Sequence, residues 1–194
     1  MNFGELRTFF KGNINRSDIT DTLADFYLQS ALSRLGRRLR LPFQEVDAEL
    51  TVDASGEAQV PQNFLEHIDI AKKPDGVSLT LVSLVDFRTT SDTTVYCRVR
   101  DKFRFKGTKA GDKIDLVYYE DFLPVSADED INQIMSLAPD VIMLAACADA
   151  SIYFVDDRQQ SFESLFADRV QELEDQSQTS TLRGGVFLGT DFIS

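Results

Sequence analysis

The amino-acid sequence predicts an α+β protein in which helices from both ends of the chain form a bundle and an antiparallel β domain is inserted between them. Apolar residues recur at helical spacing before residue 41 and after residue 138. Between residues 45 and 120, alternation of apolar and polar residues dominates instead. We expect residues 1–180 to form a single domain and residues 181–194 to form an extended C-terminal tail.

The composition indicates a folded chain with unevenly distributed charge. Of the 194 residues, 43 % are apolar, which is enough for a core. The net charge is −12. Residues 1–113 hold 17 of the 20 Lys and Arg residues and 16 Asp and Glu residues, whereas residues 114–194 hold 3 basic and 16 acidic residues. The C-terminal part is therefore a poor ligand for nucleic acid. This uneven charge would suit subunits that stack on one another or on a partner, and solubility alone explains it equally well.

No segment has the properties of a secretion signal or a membrane span. The N-terminus carries charges throughout, and the apolar run over 141–155 is too short to cross a bilayer and contains Asp149. Cys97 and Cys147, 50 residues apart, suggest reduced thiols and no disulfide framework. We expect a soluble protein made in the cytoplasm.

Two helices are predicted near the N-terminus. The first covers residues 3–11, with an apolar face of Phe3, Leu6, Phe9 and Phe10. The second covers residues 17–40, with Ser17 as its N-cap candidate and Pro42 just after its end. Its apolar stripe consists of Leu28, Leu32, Leu35 and Leu39.

The β part is predicted over residues 45–120. Residues 46–60 indicate a hairpin with its turn at Ala54-Ser55-Gly56, and strands over 67–71 and 77–82 and a short helix over 83–87 follow. Residues 95–106 alternate and predict one strand, which would turn at 107–112 and pair with 114–118.

The strand predicted over 95–106 carries the most informative charge pattern. Its basic positions fall on one face: Arg98, Arg100, Lys102, Arg104 and Lys106. A solvated face of a half-buried antiparallel strand is the simpler interpretation. A surface that contacts DNA or a neighbouring subunit is the alternative.

A helical hairpin is predicted at the C-terminal end, with helices over 139–156 and 159–176. The first is apolar nearly all round, so we expect it to be buried and the second to cover it. After residue 176 the sequence becomes rich in Ser, Thr and Gln, and Gly184-Gly185 then forms a joint. A terminal segment with so many apolar residues is expected to dock on a neighbour.

No catalytic, metal or cofactor site is predicted. The single histidine, His67, lies in a predicted strand with no nucleophile motif beside it, and the two cysteines have no neighbouring ligands. The sequence GGVFLG lacks the Lys and Ser or Thr of a phosphate-binding loop. Residues 128–132 begin like a calcium loop, but Gln133 replaces the required glycine and Pro139 the final glutamate.

The order of five segments resembles the head-to-tail adaptor (connector) proteins of tailed bacteriophages. They are FGELRTFFKGNINRSDITDTLADFYLQSALSRLGRRLRLP (3–42), VPQNFLEHIDI (60–70), SLVDFRTT (83–90), IDLVYYEDFLPVS (114–126) and LAPDVIMLAACADASIYFVDDRQQSFESLFADRVQEL (137–173). Each motif is short, so their collinear order over about residues 3–190 carries the resemblance. Residues 67–76 and the basic stretch 98–106 depart from the pattern of the family.

The resemblance implies a structural virion protein without enzymatic activity or cofactor. Copies would form a ring, usually of twelve, beneath the portal protein in the neck of the virion. The ring would join the portal to tail or nozzle proteins and surround the channel through which viral DNA passes, with non-specific contact to that DNA and none to a membrane.

The resemblance also implies roles for three groups of residues. The C-terminal tail would insert into the portal through Leu182, Arg183, Val186, Phe187, Leu188, Phe192 and Ile193. Candidate channel or subunit contacts are Arg98, Arg100, Lys102, Arg104 and Lys106. Candidate portal or neighbour contacts are Arg34, Arg37, Arg38, Arg158 and Arg169.

Two other classes of function remain as alternatives. One is a DNA-binding regulatory module that uses the basic segments 34–40 and 98–106, against which the net charge of −12 argues. The other is an enzyme with an unusual site, against which the lack of clustered His, Cys or Ser motifs argues.

Overall fold

The computed structural model describes the backbone of residues 1–184 and the side chains of residues 1–177. Over these residues the helices are α1 (Phe3–Ile14), α2 (Asp21–Arg38), α3 (Leu84–Thr89), α4 (Gln133–Leu137), α5 (Pro139–Phe154) and α6 (Gln159–Gly184). The strands are β1 (Glu45–Thr51), β2 (Glu57–Gln59), β3 (Phe64–Lys72), β4 (Val77–Ser78), β5 (Thr80–Leu81), β6 (Val95–Val99), β7 (Lys102–Phe105) and β8 (Lys113–Glu120). The predicted α+β class is confirmed.

The chain divides into two compact units. The helical unit combines Met1–Phe43 with the chain from Phe122 onwards, and the β unit is Gln44–Asp121. Because Phe43 and Phe122 stack with their ring centroids 6.3 Å apart, the chain leaves the helical unit and returns to it at one place.

Helix α5 is the centre of the helical unit, because it contacts α1, α2 and α6. Its many small side chains allow the neighbouring helices to approach closely. The buried residues of α5 are Val141, Ile142, Ala145, Ala146, Cys147, Ala148, Ala150 and Ser151. Helix α6 runs back along α5 and buries Phe166 and Val170 against the core. The predicted helical hairpin is therefore confirmed.

The ends of four predicted helices differ from those in the structure. Helix α2 begins at Asp21 because Thr20, and not Ser17, is its N-cap: the Leu23 N–H donates to Thr20 Oγ1 at 3.2 Å. Helix α1 continues to Ile14, where Asn15 takes a left-handed conformation with φ of 51° and ends it. Left-handed backbone at this position is a common helix end, and asparagine tolerates it.

At the C-terminal end, α5 stops at Phe154, two residues earlier than predicted, because Val155 is left-handed with φ of 53°. Helix α6 continues to Gly184 and so extends past the predicted end at Gln176. The Ser and Thr residues after 176 are weaker helix formers and the Gln residues are good ones, and none of these residue types breaks a helix.

The β unit consists of two four-stranded sheets. One has the strand order β1-β8-β3-β4 and the other β2-β7-β6-β5. All strand pairs are antiparallel except β5 with β6. Both sheets contribute to one core, which contains Val52, Ala58, Val60, Ile70, Leu79, Tyr96, Phe103, Phe105, Ile114, Leu116 and Tyr118.

The prediction of one strand over residues 95–106 is wrong. The chain reverses at Arg100-Asp101, where Arg100 has φ of 58°, and β6 pairs with β7 so that Arg98 faces Phe103. This reversal places Tyr96 beside Phe105 on one face of the hairpin. The chain reversal is favoured because it buries both aromatic side chains.

Three other predictions for the β part are also wrong. Strand β8 pairs with β1 and β3 and not with residues 95–106. The turn over residues 53–56 is present, but β1 and β2 continue from it into different sheets and form no hairpin. The strand predicted over 77–82 is divided into β4 and β5, one in each sheet. In each case, the apolar side chains are buried by strands that belong to two separate sheets, and this burial stabilises the fold more than pairing each strand with the nearest segment of chain would.

Candidate interaction surfaces

Arg34, a candidate portal or neighbour contact, lies inside a network of the helical unit. Its guanidinium contacts Asp149 of α5 at 3.3 Å and also pairs with Glu163 of α6. It lies over the ring of Phe166, 4.3 Å from the centroid. Burial raises the pKa of Asp149, and the Arg34 charge opposes that rise. Arg34 therefore joins three helices within one subunit.

Among the other candidate cations of the helical unit, Arg37 is exposed, and the remaining three have partners in the same chain. Arg38 contacts Glu174 at 3.2 Å, and Arg169 contacts Glu172 at 2.7 Å. Arg158 holds the pKa of Asp156 at about 2 through its hydrogen bonds and donates to the Ile14 carbonyl at 2.8 Å. Their roles towards other proteins stay predictions.

The cations of residues 98–106 do not lie together on one strand face. Arg98 stacks on Phe64 at 4.9 Å and donates to the Arg100 carbonyl at the turn. On the opposite face of the hairpin, Lys102 and Arg104 both pair with Glu57, at 2.9 and 2.6 Å.

Lys102 and Arg104 both lower the pKa of Glu57, and the hydrogen bond from Lys102 is the largest cause. Lys106 donates to the Thr90 carbonyl and lies 5.4 Å from the centroid of the Phe87 ring. The chain reversal at Arg100-Asp101 therefore divides the predicted basic face into separate contacts.

The sequence analysis missed an apolar groove in the helical unit. The groove has a volume of about 540 Å³ and is lined by Phe43, Leu123, Ile131, Asn132, Gln133, Ser136 and Leu137. Buried Asn132 supports it by accepting the Met135 N–H and donating to the Leu123 carbonyl at 3.2 Å. The available signal was the occurrence of Leu123 and Ile131 in and just after the acidic connector, which is defined as residues 120–130.

The acidic connector makes contacts that stabilise the helical unit. Asp130 accepts the backbone N–H groups of Ser126 and Ala127, which lowers its pKa, and Asp128 pairs with Arg7 at 2.8 Å. Within the described part of the chain, no cluster of His, Cys, Asp and Glu has the arrangement of a metal site. None of the helices described is long and apolar enough to span a bilayer.

The predicted tail contacts cannot be compared with the structure. Leu182 and Arg183 belong to the backbone of α6, but their side chains lie outside the described residues. The other five residues are wholly outside them: Val186, Phe187, Leu188, Phe192 and Ile193.

Comparison with known proteins identifies the family. No curated protein matches the chain. The family model described as SU10 adaptor protein matches residues 1–186, a range that contains every helix and strand described above. This chain therefore belongs to the SU10 adaptor protein family, a family of bacteriophage adaptors.

Proposed function

We propose that the protein is a structural head-to-tail adaptor that forms a ring beneath the portal of a tailed phage. The family match over residues 1–186 is the observation that carries this proposal, because it covers both compact units. The resemblance implies twelve copies per ring, a position in the virion neck, and contacts with portal and tail proteins. The ring would surround the channel for viral DNA and would not act as an enzyme.

The charges of the β unit are compatible with DNA that must slide through a channel. Weak, sequence-independent phosphate contacts permit sliding, whereas specific contacts to bases would stop it. Because Glu57 pairs with both Lys102 and Arg104, the three side chains together carry a single net positive charge. For the same reason we do not propose the DNA-binding regulatory function.

Reconstitution with the portal tests the proposed function. The purified chain is mixed with portal rings of the same phage and examined by negative-stain electron microscopy and sedimentation velocity. We expect adaptor density on one end of each portal ring. A chain that is folded by circular dichroism and still fails to bind the portal would contradict the proposal. A free chain that is monomeric would not, because assembly can require the portal.

A truncation separates the role of the tail from the role of the whole chain. Removing residues 186–194 deletes only chain beyond α6, so we expect an unchanged circular dichroism spectrum and loss of portal binding. Binding that is unchanged in the truncated chain would refute the role of the tail and leave the adaptor assignment intact.

A further inference from the structure

Strand β1 has a free edge, which is the side that faces away from β8. It is the outer strand of its sheet, and none of the strands described pairs with this side. It is seven residues long, and its register with β8 contains no bulge. The other edge strands of the β unit are much shorter, with three residues in β2 and two each in β4 and β5. A long, regular edge strand is the kind that pairs with another chain.

The hydrogen bonds between β1 and β8 determine which backbone groups lie on the free edge. In an antiparallel pair, alternate residues bond to the partner strand, and the backbone groups of the residues between them point to the other side. The Val52 N–H donates to the Asp112 carbonyl at 2.9 Å and continues the β1–β8 register, so the even-numbered residues of β1 bond to β8. The backbone groups of Glu45, Asp47 and Glu49 therefore point outwards, and their N–H groups have no acceptor among the described residues.

The side chains along the free edge specify the kind of strand that fits it. Glu45, Asp47 and Glu49 are exposed on one face of β1. Glu49 already pairs with Lys73 at 3.0 Å and with Lys113 at 2.9 Å, so the unbalanced negative charge is at Glu45 and Asp47. The alternate residues are half-buried and pack against the core of the β unit: Val46, Ala48 and Leu50. Because opposite charges on neighbouring strands attract, the matching strand has cations alternating with apolar residues.

A second copy of this chain does not offer such a strand at its own sheet edges. Two β1 strands side by side would place carboxylates opposite carboxylates, which is destabilising. Strand β2 carries Glu57, and β4 and β5 contain no charged residue. The sequence that follows Gly184 contains neither Lys nor Arg. The matching strand therefore belongs to a different protein.

We propose that the free edge of β1 binds an extended segment of a different protein, in which Lys or Arg alternates with apolar residues. The segment adds one strand to the sheet by hydrogen-bonding to the backbone of Glu45, Asp47 and Glu49. Its cations pair with Glu45 and Asp47, and its apolar residues cover the exposed parts of Val46 and Ala48. Binding requires only the isolated protein and no portal ring, so the outcome is independent of the adaptor assignment.

Titration of the full-length protein with a synthetic peptide tests the proposal. The peptide has the length of β1, alternates Lys with Val, and is capped at both ends. We expect saturable binding with Kd below about 1 mM in calorimetry. In NMR spectra the amides of Glu45, Asp47 and Glu49 should exchange their hydrogens more slowly, because these N–H groups gain acceptors.

Three results of this titration would overturn the proposal. The first is an absence of binding. The second is slower exchange at amides outside β1, which would place the peptide elsewhere. The third is protection of the β1 amides that is already present in the free protein and increases with its concentration, because a second copy would then occupy the edge.

Two methylated peptides distinguish strand pairing from attraction of charge alone. Only alternate N–H groups of an added strand face β1. One peptide therefore carries N-methyl groups on its Lys residues, and the other carries the same number on its Val residues, with equal charge. We expect one of them to bind at least about tenfold more weakly than the other, because its hydrogen bonds to β1 are lost. Equal affinities would refute strand pairing.

A pair of charge variants tests the part played by the carboxylates. Glu45→Gln with Asp47→Asn should raise the Kd of the unmodified peptide several-fold and make binding less sensitive to salt. The matched control, Asp75→Asn with Asp157→Asn, removes two exposed carboxylates outside β1 and should leave the Kd unchanged. Circular dichroism checks that both variants are folded. If the two double substitutions weaken binding equally, the charges of β1 do not select the partner and the proposal fails.

Discussion

Replacing Arg34 by methionine should destabilise the helical unit even though Arg34 is partly exposed. Methionine keeps an unbranched stem against Phe166 but removes the cation that lies between Asp149 and Glu163. These two carboxylates, one from α5 and one from α6, then face each other without a positive partner. Because the three helices meet at this point, the loss affects their packing and not only one surface pair.

The magnitude follows from the exposure of the three side chains. Arg34, Asp149 and Glu163 are 30 %, 27 % and 37 % exposed, so the network is neither fully buried nor on the open surface. Breaking a buried pair costs about 3–5 kcal/mol and losing an exposed pair about 0.2–1 kcal/mol. We expect about 2 kcal/mol, which lowers Tm by roughly 4–8 °C for a chain of this size.

The assay is thermal and urea unfolding followed by helical circular dichroism, with Arg38→Met as the matched control. Arg38 lies one turn further along α2 and pairs with Glu174 at a more exposed position. Its replacement should cost about 0.5 kcal/mol or less. Adding Asp149→Asn to Arg34→Met should recover part of the loss, because it removes one of the two unpaired charges.

The pH dependence of this variant has a definite sign. Burial raises the pKa of Asp149 in the folded protein, so its ionised form reduces stability as pH rises through that pKa. Without Arg34 this penalty is larger, and it is complete at neutral pH. The difference in stability between Arg34→Met and the unaltered protein should therefore shrink as the pH falls to about 4. A cost equal to that of Arg38→Met, or one independent of pH, would refute the reasoning.

Three further predictions concern a buried hydroxyl, a glycine in a turn and the two buried thiols. Tyr96→Phe should leave stability unchanged or raise it by up to about 1 kcal/mol in urea unfolding, because its buried hydroxyl has no hydrogen-bond partner among the described residues; a clear loss would reveal one. Gly107→Ala should lower the free energy of unfolding by about 2 kcal/mol or more, because φ of Gly107 is +64° and the new Cβ would lie 2.7 Å from Thr93 Cβ. Adding Thr93→Ala should recover part of this loss in the same urea unfolding assay. Cys97 and Cys147 should react with Ellman's reagent only in urea, because both are buried and burial raises the pKa of Cys147 to about 12; rapid reaction in the native state would contradict this.

Local patterns predicted the helices well, because each helix is determined by spacing within its own segment. The buried character of α5 and the apolar stripe of α2 follow directly from residues one and two turns apart. The start of α2 was misplaced because Ser17 and Thr20 are both acceptable caps. Tertiary packing distinguishes them: Ile19 is buried before the helix begins, which fixes Thr20 as the cap.

The strand pairings were not predictable from local patterns. Arg100-Asp101 forms a two-residue turn without the glycine or asparagine that marks such turns, so alternation through it indicated one long strand. The partners of β8 lie far from it in sequence, on β1 and β3. Which strands become neighbours depends on how two sheets share one core, and no single segment carries that information.

Local sequence patterns also could not predict which residues contact the candidate surface residues. The acidic partners of the α2 cations lie on α5 and α6, more than 100 residues away in sequence. The groove was missed because its apolar residues are scattered through a polar connector and come together only when α4 packs beside Phe43.

The insertion of the β unit between the two halves of the helical unit has a consequence for synthesis on the ribosome. Helix α5 begins about 125 residues after α1 ends, so at 5–20 residues per second the apolar face of α1 waits about 6–25 s for its partner. The β unit is complete before α5 emerges and can fold in that interval. The helical unit closes only when the final hairpin has been made, so a prematurely terminated chain cannot display its surfaces. The two halves of the helical unit can therefore pack together only after the whole β unit has been synthesised.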